Sequence, residues 1–209
     1  MAIKPLRSLG RGTDNSGDAH RHASKRLVAP RVVRMNEAKL LRLVLLRHAK
    51  SSYPDGFPGK IADHDRPLAP RGIREAALAG DWLRANVPTI DGVLCSTATR
   101  ARQTLLRSGI DAPARYEERL YGATAGVLIE EINKVSDGVT TLLVVGHEPT
   151  MSELSLILAG ADGTDEAALE RISDKYPTSA IAVLTVPSGW AGLEPGRAAL
   201  TAFHVPREN

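Results

Sequence analysis

The distribution of hydrophobic positions changes at about residue 39. Beyond it, short runs of apolar and β-branched residues alternate with longer segments in which apolar residues recur at every third or fourth position. The short runs indicate strands, the longer segments indicate amphipathic helices, and their alternation is typical of βαβ units. We therefore predict an α/β fold of three layers, with a mostly parallel central sheet and helices on both faces, formed by residues 39–209.

The same pattern places the individual elements. The run at 40–46 is almost wholly apolar, as expected for a central strand that is buried on both faces. Pro70 stands where the first turn of a helix accepts proline, and Ser96 or Thr97 is expected to cap the next helix. The predicted strands are 40–46, 93–95, 140–145, 179–186 and 199–205, and the predicted helices are 70–85, 97–106, 124–135, 149–158 and 165–171.

Residues 1–38 show neither strand-like apolar runs nor the helical spacing of apolar residues. Their mixture of Gly, Ser, Arg, His and Asp predicts a disordered basic tail. Met35 is an alternative start of the chain. Residues 1–34 hold eight Lys or Arg and two Asp, a net charge of +6, which leaves −3 for the other 175 residues because the whole chain carries +3. The pI of about 9.2 therefore reflects the tail, and we expect no nucleic acid among the partners of the folded part.

Two further classes of protein are disfavoured. No apolar run reaches the roughly 18 to 20 residues of a membrane-spanning helix, so no membrane association is expected. Cys95 is the single cysteine of the chain, which excludes an internal disulfide and a multi-cysteine metal site. A reducing, cytoplasmic location is the expectation that fits this composition.

Two of the predicted strands end in a histidine. His48 follows Arg47 after the first strand, and His147 follows Gly146 after the third. The carboxyl ends of parallel strands form the edge of the sheet where ligands bind. One such histidine alone would most often be structural, but two in matching positions, one of them beside an arginine, favour a functional site.

Arginines in two other segments are candidates for the same edge. Residues 96–104 begin at the end of the second strand and open a helix, whose free N–H groups and Arg100 together outline a phosphate site. Taken alone, this segment is equally compatible with a solvated basic helix face. Arg66 lies in the loop between the first strand and the first helix, from which it could reach over the same edge.

These segments resemble, in order, the motifs of the histidine phosphatase superfamily. Residues 46–51 resemble its Arg-His-Gly motif, 96–104 its second arginine motif and 145–147 its second histidine motif. The short Asp-Arg-Pro-Leu loop at 65–68 is most similar to the SixA-type phosphohistidine phosphatases. The resemblance extends from about residue 41 to 158 and implies a histidine phosphatase-like fold for the domain at 39–209.

The resemblance also implies a role for each matching residue and a reaction without metal or other cofactor. Arginines then take the part that Mg²⁺ plays in kinases, and a neutral imidazole with an ordinary pKa of about 6.5 is nucleophilic at physiological pH. The implied assignments are His48 as nucleophile, Arg47 and Arg100 as phosphate clamp, His147 as second imidazole at the phosphoryl group, Arg66 as further phosphate-contacting arginine, and Ser96 as part of the phosphate-binding segment.

The proton donor for the leaving group is less well defined. Glu118 lies in a stretch that resembles the one holding this acid in the mutase branch of the superfamily. Glu117 is adjacent to it, and Asp63, His64 and Asp65 lie in a second candidate loop. Glu118 is the first candidate and the other four remain alternatives, as does a reaction without such an acid, because the SixA-like branch often lacks it.

The function implied is that of a phosphohistidine phosphatase that forms a covalent phosphohistidine intermediate and dephosphorylates a phosphoprotein. The loop at 49–69 and the segment after residue 119 leave little room for insertions that would roof the site, so a phosphorylated side chain on a folded phosphotransfer domain could enter. A small-molecule phosphomonoesterase acting on a nucleotide or sugar phosphate is the alternative within the superfamily. An inactive phosphate-binding module is the alternative from a different class.

Overall fold

Six strands form one sheet in the computed structural model of the chain, which describes residues 40–53, 61–187 and 189–207. The predicted tail at 1–38, with Met35, lies outside these residues. The strands follow the order β3-β2-β4-β1-β5-β6 across the sheet. They are β1 (Leu41–Arg47), β2 (Gly92–Ser96), β3 (Ala114–Glu117), β4 (Thr141–Gly146), β5 (Ile181–Val186) and β6 (Ala199–His204).

Five α-helices connect and cover the strands. Their bounds agree with the predicted helices to within three residues at each end. The helices are α1 (Pro70–Asn86), α2 (Thr99–Ser108), α3 (Ala125–Asn133), α4 (Thr150–Leu158) and α5 (Glu166–Asp174). In the described part of the chain, none of them is both long and apolar enough to cross a bilayer.

The sheet is mostly parallel, as predicted. β1 pairs in parallel with β4, β4 with β2, and β2 with β3. β5 and β6 extend the other side of β1 through antiparallel pairing. The carboxyl ends of β1, β2 and β4 therefore lie side by side at one edge of the sheet.

Both faces of the sheet are covered, because successive side chains of a strand point to opposite sides. On β1, Leu43 and Leu45 pack with buried side chains of α3, α4 and α5. Val44 and Leu46 pack on the other face with buried side chains of α1 and α2. The expected three-layer α/β fold is confirmed.

The sequence did not predict the edge strand β3. Its four residues, Ala114–Glu117, are polar or small and mostly exposed, so they form no apolar run. A strand of this kind is held by backbone pairing with β2 and leaves no hydrophobic pattern in the sequence.

The predicted capping of α2 was also wrong. The helix begins at Thr99, and its N-cap is Ala98, which has no side-chain hydrogen bond to offer. Ser96 is the last residue of β2, and the Thr97 hydroxyl lies 3.0 Å from Nε2 of His64. Both hydroxyl-bearing side chains thus precede the cap position by one or two residues.

The segment after β1 is fixed on three sides. The His48 N–H donates to the Gly146 carbonyl at 2.9 Å, and the His48 carbonyl accepts from the Ser179 N–H at 3.3 Å. Helix α1 packs so closely on the following loop that a Cβ at Gly72 would lie 2.0 Å from the Lys50 carbonyl oxygen. A side chain at this glycine would force the helix away from the loop that begins at His48.

Candidate active site

The structure brings two histidines and two arginines together at the carboxyl edge of the sheet. His48 follows β1, His147 follows β4, and their ring centroids are 5.0 Å apart. Arg100 extends from the first turn of α2 to His48, and Arg47 is the last residue of β1. Both histidines and Arg100 are buried.

Hydrogen bonds define the tautomer of His48. Its Nδ1 lies 2.8 Å from the carbonyl oxygen of Ala49, which can only accept, so Nδ1 carries the ring proton. Its Nε2 accepts a hydrogen bond from Nε of Arg100 at 3.2 Å. Burial lowers the pKa of His48 to about 3, and the nearby charges of Arg100 and Arg47 act in the same direction. His48 is therefore a neutral imidazole whose Nε2 lone pair faces an arginine.

His147 is held at one ring nitrogen only. Its Nε2 lies 2.8 Å from the Ser96 hydroxyl, which also accepts a weak hydrogen bond from the Ala98 N–H at 3.3 Å. Its Nδ1 is buried and has no hydrogen-bond partner among the described residues. Burial lowers the pKa of His147 to about 4, followed by the charge of Arg100. This ring is also neutral and presents one unpaired nitrogen.

Asp63 links the arginines on the opposite side of the site. Its Oδ1 accepts from Nη1 of Arg66 at 2.8 Å, and its Oδ2 accepts from Nη2 of Arg100 at 3.0 Å and from the Tyr121 hydroxyl at 2.8 Å. The Asp63 carbonyl accepts a further bond from Arg100 Nη1 at 2.6 Å. The hydrogen bond from Arg66, with those from its other partners, holds the pKa of Asp63 well below its usual range. Asp63 is a fixed carboxylate.

Unpartnered polar atoms cluster at this edge. Among the described residues, the buried side-chain polar atoms without a hydrogen-bond partner belong to Arg47, Arg66, His147, Glu148 and Ser179. Leaving such a group unpaired costs about 1–3 kcal/mol. Three of them, Nε of both arginines and Nδ1 of His147, are or can be N–H donors. Such a cluster of donors is suited to an anion with several oxygens.

A groove of about 530 Å³ leads to this cluster. Arg100 and His147 lie at one end, and the ring of Tyr121 stands edge-on to the His147 ring with centroids 5.5 Å apart. The groove is lined by Arg100, Tyr121, Gly122, Ala123, Thr124, His147, Glu148, Pro149, Thr150 and Glu153. In the part of the chain that the structure describes, no group of three or more His, Cys, Asp or Glu side chains could hold a metal ion.

Known proteins share this sequence and fold. A family model of the histidine phosphatase superfamily, branch 1, matches residues 43–135. A solved structure from Nakamurella multipartitia, described as a candidate phosphohistidine phosphatase SixA, is 36% identical with a TM-score of 0.73, and the match covers 82% of this chain and 99% of that one. The chain belongs to the histidine phosphatase superfamily. The predicted SixA-like resemblance is confirmed, and the protein is a phosphatase that acts on phosphorylated substrates.

Two other relatives of this histidine phosphatase come from bacteria. An uncharacterized protein of Mycobacterium tuberculosis is 72% identical over 162 residues, which are 78% of this chain and 100% of the relative. Phosphohistidine phosphatase SixA of Escherichia coli is 26% identical over 158 residues, which are 73% of this chain and 89% of the relative. The relative that is 72% identical is described as uncharacterized, so its description supplies no substrate.

The structure separates the acidic candidates of this histidine phosphatase. Glu118 begins a short 3-10 helix and is exposed, and its carboxylate forms no hydrogen bond or ion pair with a described residue. Glu117 is the last residue of β3. His64 lies nearer the site, with its ring 5.0 Å from that of Tyr121 and its Nδ1 3.2 Å from Asp65.

Sequence reasoning missed two residues of the groove. Tyr121 donates to Asp63 and contacts His147, although nothing in the pattern of the sequence distinguishes it. Glu148 is partly buried directly after His147, and burial raises the pKa of its carboxyl group. Its position next to the second histidine was the signal that could have identified it.

Proposed function

We propose that this protein is a metal-independent phosphohistidine phosphatase. It transfers the phosphoryl group of a phosphoprotein to Nε2 of His48 and then to water. The observation that carries the proposal is the fixed tautomer of His48. The Ala49 carbonyl holds the proton on Nδ1, so the lone pair of Nε2 points toward Arg100 and the unpaired donors around it.

In the first step, Nε2 of His48 attacks the phosphorus atom and the bond to the leaving group breaks. Arg100 donates to Nε2 of His48, and it turns this donor to a phosphoryl oxygen when substrate binds. Arg47, Arg66 and Nδ1 of His147 supply further donors, with the Ser96 hydroxyl donating to Nε2 of His147. Positioned cations stabilise the charge spread over the equatorial oxygens of the phosphoryl group, which is the task of Mg²⁺ in kinases.

In the second step, water attacks the phosphorus atom and the bond to Nε2 breaks. The low pKa of the His48 imidazole, which burial and the two arginines cause, makes it a good leaving group. A low pKa also reduces its strength as a nucleophile. Direct alignment of Nε2 with the bound phosphoryl group offsets this loss.

A phosphoprotein is the proposed substrate because short segments surround the site. The two relatives described as phosphohistidine phosphatases support the same class of substrate. The groove beyond Arg100 favours a second candidate, a small phosphomonoester such as a nucleotide or sugar phosphate, because it has room for a small organic group. The conjunction of His48, Arg47, Arg100 and His147 in one cluster disfavours an inactive phosphate-binding module.

The covalent intermediate tests the mechanism. Rapid quenching with ³²P-labelled substrate should trap a phosphoenzyme that is labile to acid and stable to base, as expected for phosphohistidine. His48→Ala should show neither label nor turnover, because the other imidazole of the described cluster, His147, accepts from Ser96 at Nε2 and carries its proton at Nδ1. Retained turnover in this variant, or a label stable to acid, would exclude His48 as the nucleophile.

Substrate class is decided by comparing kcat/KM in the presence of EDTA on a phosphohistidine protein, a phosphoserine peptide and phosphorylated metabolites. We expect the phosphohistidine protein to be preferred. A higher kcat/KM for a metabolite would favour the small-molecule phosphatase, and loss of all activity in EDTA would contradict the metal-independent mechanism.

A further inference from the structure

Cleavage of an alkyl phosphate produces an alkoxide, which needs a proton as it leaves. Asp63 is poorly suited to supply that proton, because Arg66, Arg100 and Tyr121 hold it as a carboxylate. Glu118 is exposed and forms no side-chain hydrogen bond or ion pair with the described residues. The other carboxyl groups that line the groove are therefore of interest.

Glu148 follows His147 directly and lines the same groove as Arg100. Its Oε2 accepts from the Ser152 hydroxyl at 2.8 Å, whereas its Oε1 is buried and has no hydrogen-bond partner among the described residues. The carboxyl group is thus held in place at one oxygen and can carry a proton at the other.

The environment of Glu148 favours the protonated form. Burial raises its pKa, and the hydrogen bonds from Ser152 and the charge of Arg47 oppose this effect only in part. Arg47 donates instead to the Tyr176 carbonyl, and its Nε remains unpartnered within the described part of the chain. Partial burial without a direct ion pair therefore makes this carboxyl group a weaker acid than an ordinary glutamate.

We propose that, toward phosphomonoesters, the second candidate class of substrate, Glu148 is the proton donor to the leaving group and, in the second half of the reaction, the proton acceptor from the attacking water. This assignment rests on the proposed mechanism, in which His48 is the nucleophile. It gives the site an acid that neither Glu118 nor Asp63 provides in this structure.

The proton returns to its starting point in each cycle. In the first step, the bond from Nε2 of His48 to phosphorus forms, the bond from phosphorus to the ester oxygen breaks, and this oxygen takes the proton of Glu148. In the second step, the water oxygen bonds to phosphorus, one water proton passes to the Glu148 carboxylate, and the bond to Nε2 breaks. The products are the alcohol and hydrogen phosphate, with neutral His48 and protonated Glu148 restored.

The dependence on the leaving group tests this proposal. An aryl phosphate, p-nitrophenyl phosphate, leaves without a proton, whereas glycerol phosphate requires one. In Glu148→Gln, kcat/KM for the alkyl phosphate should fall about 10²- to 10⁴-fold, and kcat/KM for the aryl phosphate by less than about tenfold. With the aryl phosphate, kcat should fall and the phosphoenzyme on His48 should accumulate, because water loses its proton acceptor.

Three variants serve as controls. Glu166→Gln removes an exposed carboxylate of α5 that does not line the groove, and Glu118→Gln removes the acid expected from the sequence. Both should retain kcat/KM within about threefold on each substrate. Glu148→Asp keeps a carboxyl group at this position and should recover part of the activity on the alkyl phosphate.

Several results would overturn the assignment. Equal losses of kcat/KM on both substrates in Glu148→Gln would show that Glu148 is a structural residue. A selective loss on the alkyl phosphate in Glu118→Gln would show that Glu118 is the proton donor. A wild-type protein that cleaves aryl but no alkyl phosphate would exclude a proton donor. Retained turnover in His48→Ala would instead contradict the proposed function itself, and the Glu148 assignment with it.

Discussion

Two clusters of buried charge differ in how completely they are paired. At Glu131 on α3, a carboxylate with a 2% exposed side chain accepts bonds from Arg115, Arg119 and Lys134, whose side chains are about half exposed. At His48, the pattern is reversed, since buried cations and neutral rings surround the site and several of their donors have no partner among the described residues.

The difference distinguishes a structural cluster from a binding site. The Glu131 cluster satisfies its buried charge within the protein, so it joins β3 and the following turn to α3 without need of a ligand. In the proposed mechanism, an anion completes the His48 cluster by accepting from the donors that lack a partner among the described residues. Changes in the first cluster should therefore affect stability, and changes in the second should affect turnover.

Substitution of Arg100 should have the largest effect on turnover relative to its effect on stability. Arg100→Ala should lower kcat/KM by about 100-fold or more, because one preorganised charge-assisted contact with the phosphoryl group is lost. Arg100→Met keeps an unbranched apolar stem and should show the same kinetic loss, with a change in unfolding free energy below about 1 kcal/mol. Steady-state kinetics and urea unfolding check both. A loss of kcat/KM that disappears under conditions where the variant is fully folded would show that Arg100 is structural.

Glu131 should show the converse behaviour. Glu131→Gln removes the charge that three cations share and should lower the free energy of unfolding by about 1–3 kcal/mol, since a buried hydrogen-bonded carboxylate is replaced by a weaker acceptor. Below the unfolding transition, kcat/KM should stay within about threefold of the wild type.

The matched control is Glu130→Gln, because Glu130 also binds Arg119 but has a 63% exposed side chain. An exposed pair of this kind contributes less than about 1 kcal/mol. Equal destabilisation by Glu131→Gln and Glu130→Gln would mean that burial of the carboxylate does not determine its contribution to stability.

The fold was predictable because its central strands carry an unmistakable pattern. The apolar run before Arg47 and the β-branched run before His147 indicated buried parallel strands, and parallel strands place their carboxyl ends together. The approach of His48 to His147 follows from that topology. The strand β3 could not be predicted, because its pairing depends on backbone hydrogen bonds rather than on apolar side chains.

The finer chemistry of the site depended on tertiary contacts that leave no local pattern. Asp63 was a candidate acid in the sequence, but Arg66 and Arg100 reach it from different segments and fix it as a carboxylate. Glu148 acquires its raised pKa from burial, and burial of a residue after a strand end cannot be inferred from its neighbours. Sequence patterns indicated which segments meet, whereas the protonation of each group followed from its packing.

The smallest effect is expected from the basic tail, which lies outside the described residues. A chain that begins at Met35 should keep kcat/KM on a small phosphate ester within about tenfold of the full chain, a difference below about 1.4 kcal/mol. The reason is that residues 1–34 have no apolar periodicity with which to dock on a folded domain. Limited proteolysis of the full chain should remove this segment first, because unpacked termini are the preferred sites of cleavage. A truncated chain that fails to fold, or that loses more than tenfold in kcat/KM, would show that the tail contributes to the catalytic domain. The eight basic residues of the tail would then have to be added to the comparison between the Glu131 cluster and the His48 cluster.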